Sequence, residues 1–258
     1  MNKIIKNTWK IICYPLLYLG MRVVVSVAYA FIKSVISNEK MVVDLMALTP
    51  TIISIFAVGA ILFFIFNFNK NNKSEKILIF KKAEIIPLTL SFILAFAMSI
   101  LTVVILSKLP TGMKINPSFL DKISDGSIKL KSITMIIFIP YIEGIIFRGI
   151  VQKRLANIMN FWAAIFVQAA IFGWLHLDIV HGLYAFILGI IMGYVCLKFD
   201  YIFYAIFIHI IFNWANIIFL NYFSDLKINS IFLIIISAVI FIISLAGLIL
   251  LGKRRKTL

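Results

Sequence analysis

Residues 230–251 have the sequence SIFLIIISAVIFIISLAGLILL, without a single charged side chain. An α-helix rises about 1.5 Å per residue, so roughly 20 apolar residues in succession cross the ~30 Å hydrocarbon core of a bilayer. Similar apolar runs follow one another along the chain, and 63% of its 258 residues are hydrophobic. A water-soluble fold of this length has no interior large enough to bury that much apolar surface. The sequence therefore predicts an α-helical integral membrane protein.

The apolar runs do not alternate with polar residues, as the strands of a transmembrane β-barrel would over about 10 positions. The predicted fold class is all-α, a bundle of about eight transmembrane helices. The longest polar connection, residues 108–130, is too short to join independent domains, so we predict a single transmembrane domain over residues 1–258. The predicted spans are 11–32, 50–68, 86–107, 131–152, 158–177, 181–199, 201–221 and 230–251.

The net charge of +15 lies mainly in the connections between the spans. In a soluble chain this excess would favour a nucleic-acid partner. Between apolar spans, basic residues instead orient a protein in an anionic membrane, so the predicted partner is the lipid bilayer and not nucleic acid. Eight spans place both termini on one side, and a cytoplasmic location gives that side 15 basic residues against 8 on the other. We predict a multi-pass protein of the cell membrane with both termini in the cytoplasm.

Five polar residues interrupt the later spans. Glu143 and Arg148 lie in the fourth span, His176 ends the fifth, and His209 and Asn213 lie in the seventh. A charge at the bilayer centre costs at least ~2.5–3.5 kcal/mol, so such residues are usually paired or functional. His209 and Asn213 are four residues apart and share a helix face. Counted from the ends of the predicted spans, His176 lies at a different depth from His209.

These residue types suit the activation of water. A carboxylate or a neutral imidazole takes a proton from water, and an imidazole and an amide donate hydrogen bonds to a developing oxyanion. Alternatively, Glu143, His176 and His209 hold a divalent metal ion. Structural roles stay open beside these: a buried Glu143–Arg148 ion pair, hydrogen bonds between helices from His209 and Asn213, and an interfacial position for His176. The third histidine, His181, is predicted to be an interfacial loop residue.

The order of three fragments resembles a known family. E-G-I-I-F-R-G at 143–149, F-x-x-x-H at 172–176 and H-x-x-x-N at 209–213 are similar to the motifs of the CAAX protease and bacteriocin-processing (CPBP, Abi) family of intramembrane endopeptidases. The resemblance covers residues 131–220, which we predict to be the catalytic core of the domain. Each motif alone is short, but all three occur in order on predicted membrane helices.

The resemblance implies a helical bundle around a membrane-embedded polar cavity and the cleavage of a peptide bond in a membrane-associated peptide or protein. It assigns water activation to Glu143, with assistance from His176. Stabilisation of the oxyanion falls to His209 and Asn213, and Arg148 positions the first motif. Both a glutamate-dependent and a metal-dependent mechanism are compatible with the resemblance; in the latter, Glu143, His176 and His209 would bind a divalent metal such as zinc.

One position departs from the family pattern. The first motif of the family has two consecutive glutamates, and Gly144 stands in place of the second. This departure favours an alternative function, a catalytically inactive family member that acts as a membrane scaffold, a regulator or a bacteriocin immunity protein. A transporter or channel is a third possibility. The chain lacks the repeated halves and the paired spans broken by glycine or proline that are typical of transporters, which argues against it.

Overall fold

The computed structural model describes residues 3–35, 82–108, 134–176, 178–222 and 230–255. Within these ranges the chain forms seven helices and no strand, which confirms the predicted helical class. The helices are α1 (Lys3–Val35), α2 (Ile85–Ser107), α3 (134–156), α4 (Phe161–Trp174), α5 (Ile179–Phe199), α6 (Ile202–Tyr222) and α7 (Ser230–Lys253). Four of them, α2, α5, α6 and α7, are long and apolar enough to cross a membrane.

The number of spans is not settled by these helices. The span predicted at 50–68 lies outside the described residues, so the total of eight stays a prediction. The span predicted at 158–177 corresponds to α4, which has only 14 residues and is about 21 Å long. Polar side chains precede both α4 and the helix that follows it. Asn160 accepts a hydrogen bond from the backbone N–H of Ala163 at 2.8 Å before α4, and Asp178 caps the next helix.

Contacts divide the chain into two compact units. The first comprises residues 1–78 and 124–164, and its described part contains α1, α3 and the first turn of α4. The second comprises residues 79–123 and 165–258 and contains α2, the rest of α4, and α5 to α7. The single domain predicted over residues 1–258 stays a prediction.

In the second unit, α2 contacts both α6 and α7, and α5 contacts the same two helices. The four helices thus form a closed ring of contacts. Between α2 and α6 the Ser99 hydroxyl donates to Asn216 Oδ1 at 2.8 Å, a hydrogen bond of the kind that joins helices in membranes. His209 and Asn213 both lie on α6, which contacts α2 and α5 in this ring.

One end of the second unit brings together the ends of four helices. The backbone N–H of Glu84, just before α2, donates to the Tyr204 hydroxyl at 2.8 Å, and the Glu84 carboxylate forms an ion pair with Arg255, just after α7. The Arg255 guanidinium also lies 4.6 Å from the centre of the Phe199 ring. Aromatic and basic side chains at helix ends are typical of the membrane–water interface.

The turn between α4 and α5 depends on two glycines. A Cβ atom added at Gly173 would lie 2.6 Å from the carbonyl oxygen of Gly182, which is closer than van der Waals contact allows. Because the obstacle is backbone, the helices would have to separate. We expect Gly173→Ala to lower the free energy of unfolding by about 1–3 kcal/mol, the usual cost of overpacking.

Thermal unfolding in detergent checks this prediction, with Gly20→Ala as the control. Nothing lies within 4 Å of a Cβ atom added at Gly20, which is on the exposed side of α1. That variant should be as stable as the wild type or more stable, because alanine favours a helix over glycine by about 1 kcal/mol. Equal melting temperatures for the two variants would contradict the close packing of α4 on α5.

Candidate active site

The helix that carries Glu143 is not a regular α-helix. Within α3, Ile139–Glu143 is α-helical, while Thr134–Phe138 before it and Gly144–Gln152 after it are π-helical. π-helical turns are rare and often occur at functional sites. Glu143 is thus the last residue of the α-helical turn, at the point where the helix widens.

The widening changes the spacing expected between Glu143 and Arg148. In an α-helix, residues five apart lie about 140° from each other around the axis. A π-helix has i→i+5 hydrogen bonds and more residues in each turn, so the angle between Glu143 and Arg148 is smaller. Both side chains are buried, Arg148 completely. The structure therefore brings these two residues of the first motif nearer to one face than the sequence spacing indicates.

Glu143 has a partner that the sequence did not predict. The Tyr18 hydroxyl, from α1, donates a hydrogen bond to Glu143 Oε1 at 2.8 Å. Each of the two residues is only 4% exposed. The contact lies wholly within the first unit, in which α1 packs along 144–156. One polar residue near it in the sequence, Arg22, lies a turn after Tyr18, and its guanidinium is 5.8 Å from the centre of the tyrosine ring.

Phe172 links the two predicted site histidines of the second unit. Its buried ring meets the His176 ring edge-to-face, with centroids 4.9 Å apart, and meets the His209 ring in the same way at 5.8 Å. The predicted second motif, F-x-x-x-H, therefore places its aromatic residue against the first residue of the third motif.

The contacts around Phe172 also give the directions of three helices. α5 runs antiparallel to α4 and to α6, as the contacts between them show, so α4 and α6 run in the same direction. Phe172 touches His209, and His176 and Asn213 each stand four residues later in the chain. The contacts pair Gly173 with Gly182 and Ala169 with Gly189 between α4 and α5, and Phe199 with Tyr204 and Tyr184 with Phe212 between α5 and α6.

α4 ends at Trp174, three residues before the end of its predicted span, so His176 lies just after the helix. The difference in depth between His176 and His209 that the span ends predict stays a prediction.

The tautomer of His176 follows from its hydrogen bond. Its Nδ1 atom lies 2.8 Å from the carbonyl oxygen of Phe172. A carbonyl oxygen only accepts, so Nδ1 carries the hydrogen and the Nε2 atom of the neutral ring is the one with a lone pair. His176 thus presents Nε2 as its base or ligand atom.

His181 is not in a loop, and its ring contacts that of Tyr184, with centroids 5.3 Å apart. It belongs to the first turn of α5, where its backbone N–H and its Nδ1 atom contact Asp178 Oδ1 at 2.7 and 3.0 Å. Hydrogen bonds from the backbone and side chain of His181 lower the pKa of the exposed Asp178 carboxyl. The predicted loop position was wrong, because Asp178 caps α5 and the helix begins at Ile179, two residues before His181.

Gln168, one turn before Phe172 on α4, is a buried polar residue that sequence analysis missed. Its side chain is completely buried, and within the described ranges neither polar atom of its amide has a hydrogen-bond partner. An unpaired buried amide costs about 1–3 kcal/mol, so we expect Gln168→Leu to unfold at the same temperature as the wild type or higher. Thermal unfolding in detergent tests this, and a clear drop in melting temperature would show that the amide is hydrogen-bonded.

Neither unit, over the residues described, contains a group of three or more His, Cys, Asp or Glu side chains arranged to hold a metal ion. The hydrogen bond of His176 is nevertheless compatible with a metal ligand. Metal-bound histidines usually donate their second ring N–H to a carbonyl or carboxylate, as His176 Nδ1 does to Phe172.

Comparison with protein families confirms the predicted resemblance. Residues 126–215 match the family described as type II CAAX prenyl endopeptidase Rce1-like. All five predicted site residues lie in the matched segment, and Tyr18 lies outside it. No curated protein and no solved structure matches the chain.

Proposed function

Because the chain is similar to the type II CAAX prenyl endopeptidases over a segment that holds all five site residues, we propose that it is an intramembrane endopeptidase. It cleaves a peptide bond of a membrane-associated peptide or protein by means of activated water. The observation that carries the proposal is the contact of Phe172 with both His176 and His209. This contact brings the second and third motifs together, which supports the proposal of a shared site.

In the proposed reaction, Glu143 is the general base. Its carboxylate takes a proton from water, and the resulting hydroxide attacks the carbonyl carbon of the scissile bond. His209 and Asn213 donate hydrogen bonds to the oxyanion that forms on the carbonyl oxygen. The protonated Glu143 then gives its proton to the leaving amine. His176, through Nε2, assists by accepting a hydrogen bond from the water, and Arg148 positions the first motif.

A metal-dependent form of the reaction uses the same residues. Glu143, His176 and His209 would be the ligands, and a divalent ion such as zinc would supply hydroxide at neutral pH. His176 fits this role because its Nδ1–H is already held by the Phe172 carbonyl, which leaves Nε2 for a ligand bond. A chelator separates the two forms, since only the metal-dependent enzyme loses activity and recovers it with added zinc.

A catalytically inactive scaffold, regulator or immunity protein is the second candidate function. The observation that favours it is Gly144, which replaces the second glutamate of the family motif at the start of the π-helical segment. An inactive protein would leave every peptide of a substrate panel intact.

The proposal is tested with the purified protein in liposomes and a panel of fluorogenic, membrane-anchored peptides. We expect the wild-type protein to cleave at least one peptide at a single bond. For the location we propose the cell membrane, with both termini in the cytoplasm. In that orientation the Glu84–Arg255 end of the second unit faces the cytoplasm, in agreement with its neighbouring basic residues.

A further inference from the structure

We infer that Tyr18 is a positioning residue for Glu143. It lies on α1, outside the segment that matches the family, so the first helix contributes to the site that the family motifs define. The inference rests on the proposed function, because it assigns Tyr18 a task in the reaction that Glu143 is proposed to carry out.

The first step is the hydrogen bond itself. A buried carboxylate is costly unless hydrogen bonds compensate for the water it has lost, and a bond to an ionised oxygen is stronger than one between neutral groups. Tyr18 supplies such a bond to Oε1 at 2.8 Å. The bond restricts rotation of the carboxylate, which keeps Glu143 in one orientation for the water that the proposed reaction activates.

The second step is the rigidity of the tyrosine. Ile11, Tyr14 and Tyr18 are buried on one face of α1 at intervals of three and four residues, the spacing of a packed helix face. The Arg22 guanidinium lies 5.8 Å from the centre of the Tyr18 ring, within the range of a cation–π interaction. The hydroxyl is therefore presented to Glu143 from a ring that is held in place by its neighbours.

A purely structural role would be different. The same hydrogen bond also joins α1 to α3. If it served only to hold the helices together, its loss would lower the stability of the protein and leave the rate of the chemical step unchanged. A positioning residue instead affects kcat, because a carboxylate that is turned out of line activates water poorly, while substrate binding and KM are unchanged.

The kinetic test compares Tyr18→Phe with Tyr14→Phe and Glu143→Gln in liposomes. Tyr14 is one turn earlier on the same face, and its ring contact with Arg154 does not need the hydroxyl. We expect Tyr18→Phe to lower kcat by about 10–100-fold at constant KM, since small misplacements cost up to about 10²-fold. Tyr14→Phe should retain wild-type kcat.

The outcomes separate the inference from the proposed function. If Glu143→Gln is inactive while Tyr18→Phe retains full kcat, the positioning role is overturned and the peptidase assignment stands. Wild-type activity in Glu143→Gln would overturn both. A rise in the KM of Tyr18→Phe with kcat unchanged would contradict positioning as well.

Thermal unfolding tests the contact without any substrate. In the wild-type background Tyr18→Phe removes a donor from a buried carboxylate, and the melting temperature should fall. In a Glu143→Leu background the same change removes a hydroxyl that has lost this partner, and the melting temperature should stay constant or rise. Equal falls in both backgrounds would mean that Tyr18 and Glu143 do not interact.

Discussion

Replacement of Glu143 with glutamine is expected to lower kcat by about 10²–10⁴-fold, the usual contribution of general acid–base catalysis. Glutamine has the same shape as glutamate, and its amide oxygen can still accept the hydrogen bond from Tyr18. It has no oxygen basic enough to take a proton from water. The variant should therefore fold like the wild type and fail in the chemical step, which steady-state kinetics and thermal unfolding together would show.

The matched control is Glu84→Gln. Glu84 is an exposed glutamate that pairs with Arg255 at one end of the second unit. Exposed ion pairs contribute only about 0–1 kcal/mol, so this variant should keep both its fold and its kcat. Similar activity in the Glu143 and Glu84 variants would remove Glu143 from the reaction.

Replacement of His209 with alanine is expected to lower kcat by about 10²–10³-fold, the cost of removing one hydrogen-bond donor to an oxyanion. His209 is buried and its ring meets Phe172, so alanine also removes packing at this position. His209→Gln addresses this point, because its amide N–H is again a donor. We expect the glutamine variant to recover part of the kcat that alanine loses.

The matched control for this position is His181→Ala. His181 lies in the first turn of α5, where its ring contacts Tyr184, and its Asp178 partner is exposed. Activity should stay at the wild-type level. If His181→Ala lost as much activity as His209→Ala, the assignment of the third motif to the oxyanion would be wrong.

Most of the fold class could be predicted because membrane helices are long apolar runs. The spans predicted at 86–107 and 201–221 agree within one residue with α2 (Ile85–Ser107) and α6 (Ile202–Tyr222). The short α4 could not be predicted from hydropathy, since its ends are set by Asn160 and by the turn before Asp178. The π-helical part of α3 could not be predicted either, because hydropathy does not distinguish a π-helix from an α-helix.

The site residues could be predicted only where the signal was local in the sequence. Glu143, His176 and His209 could be selected because each is a polar residue in an apolar span with a recognisable neighbour. Tyr18 could not, because its partner lies 125 residues away in the sequence and tyrosine is common in membrane helices. The one signal available was the spacing of Tyr18 and Arg22, two polar residues four positions apart. It identifies a polar face of α1 but does not identify Glu143 as the residue that this face contacts.

The measurement that tests the central claim most directly is the rate of cleavage of one membrane-anchored peptide by wild-type protein and by Glu143→Gln, side by side in liposomes. The proposal predicts a single cleaved bond for the wild type and a rate about 10²–10⁴-fold lower for the variant. Cleavage at the same bond and at the same rate by both proteins would contradict it.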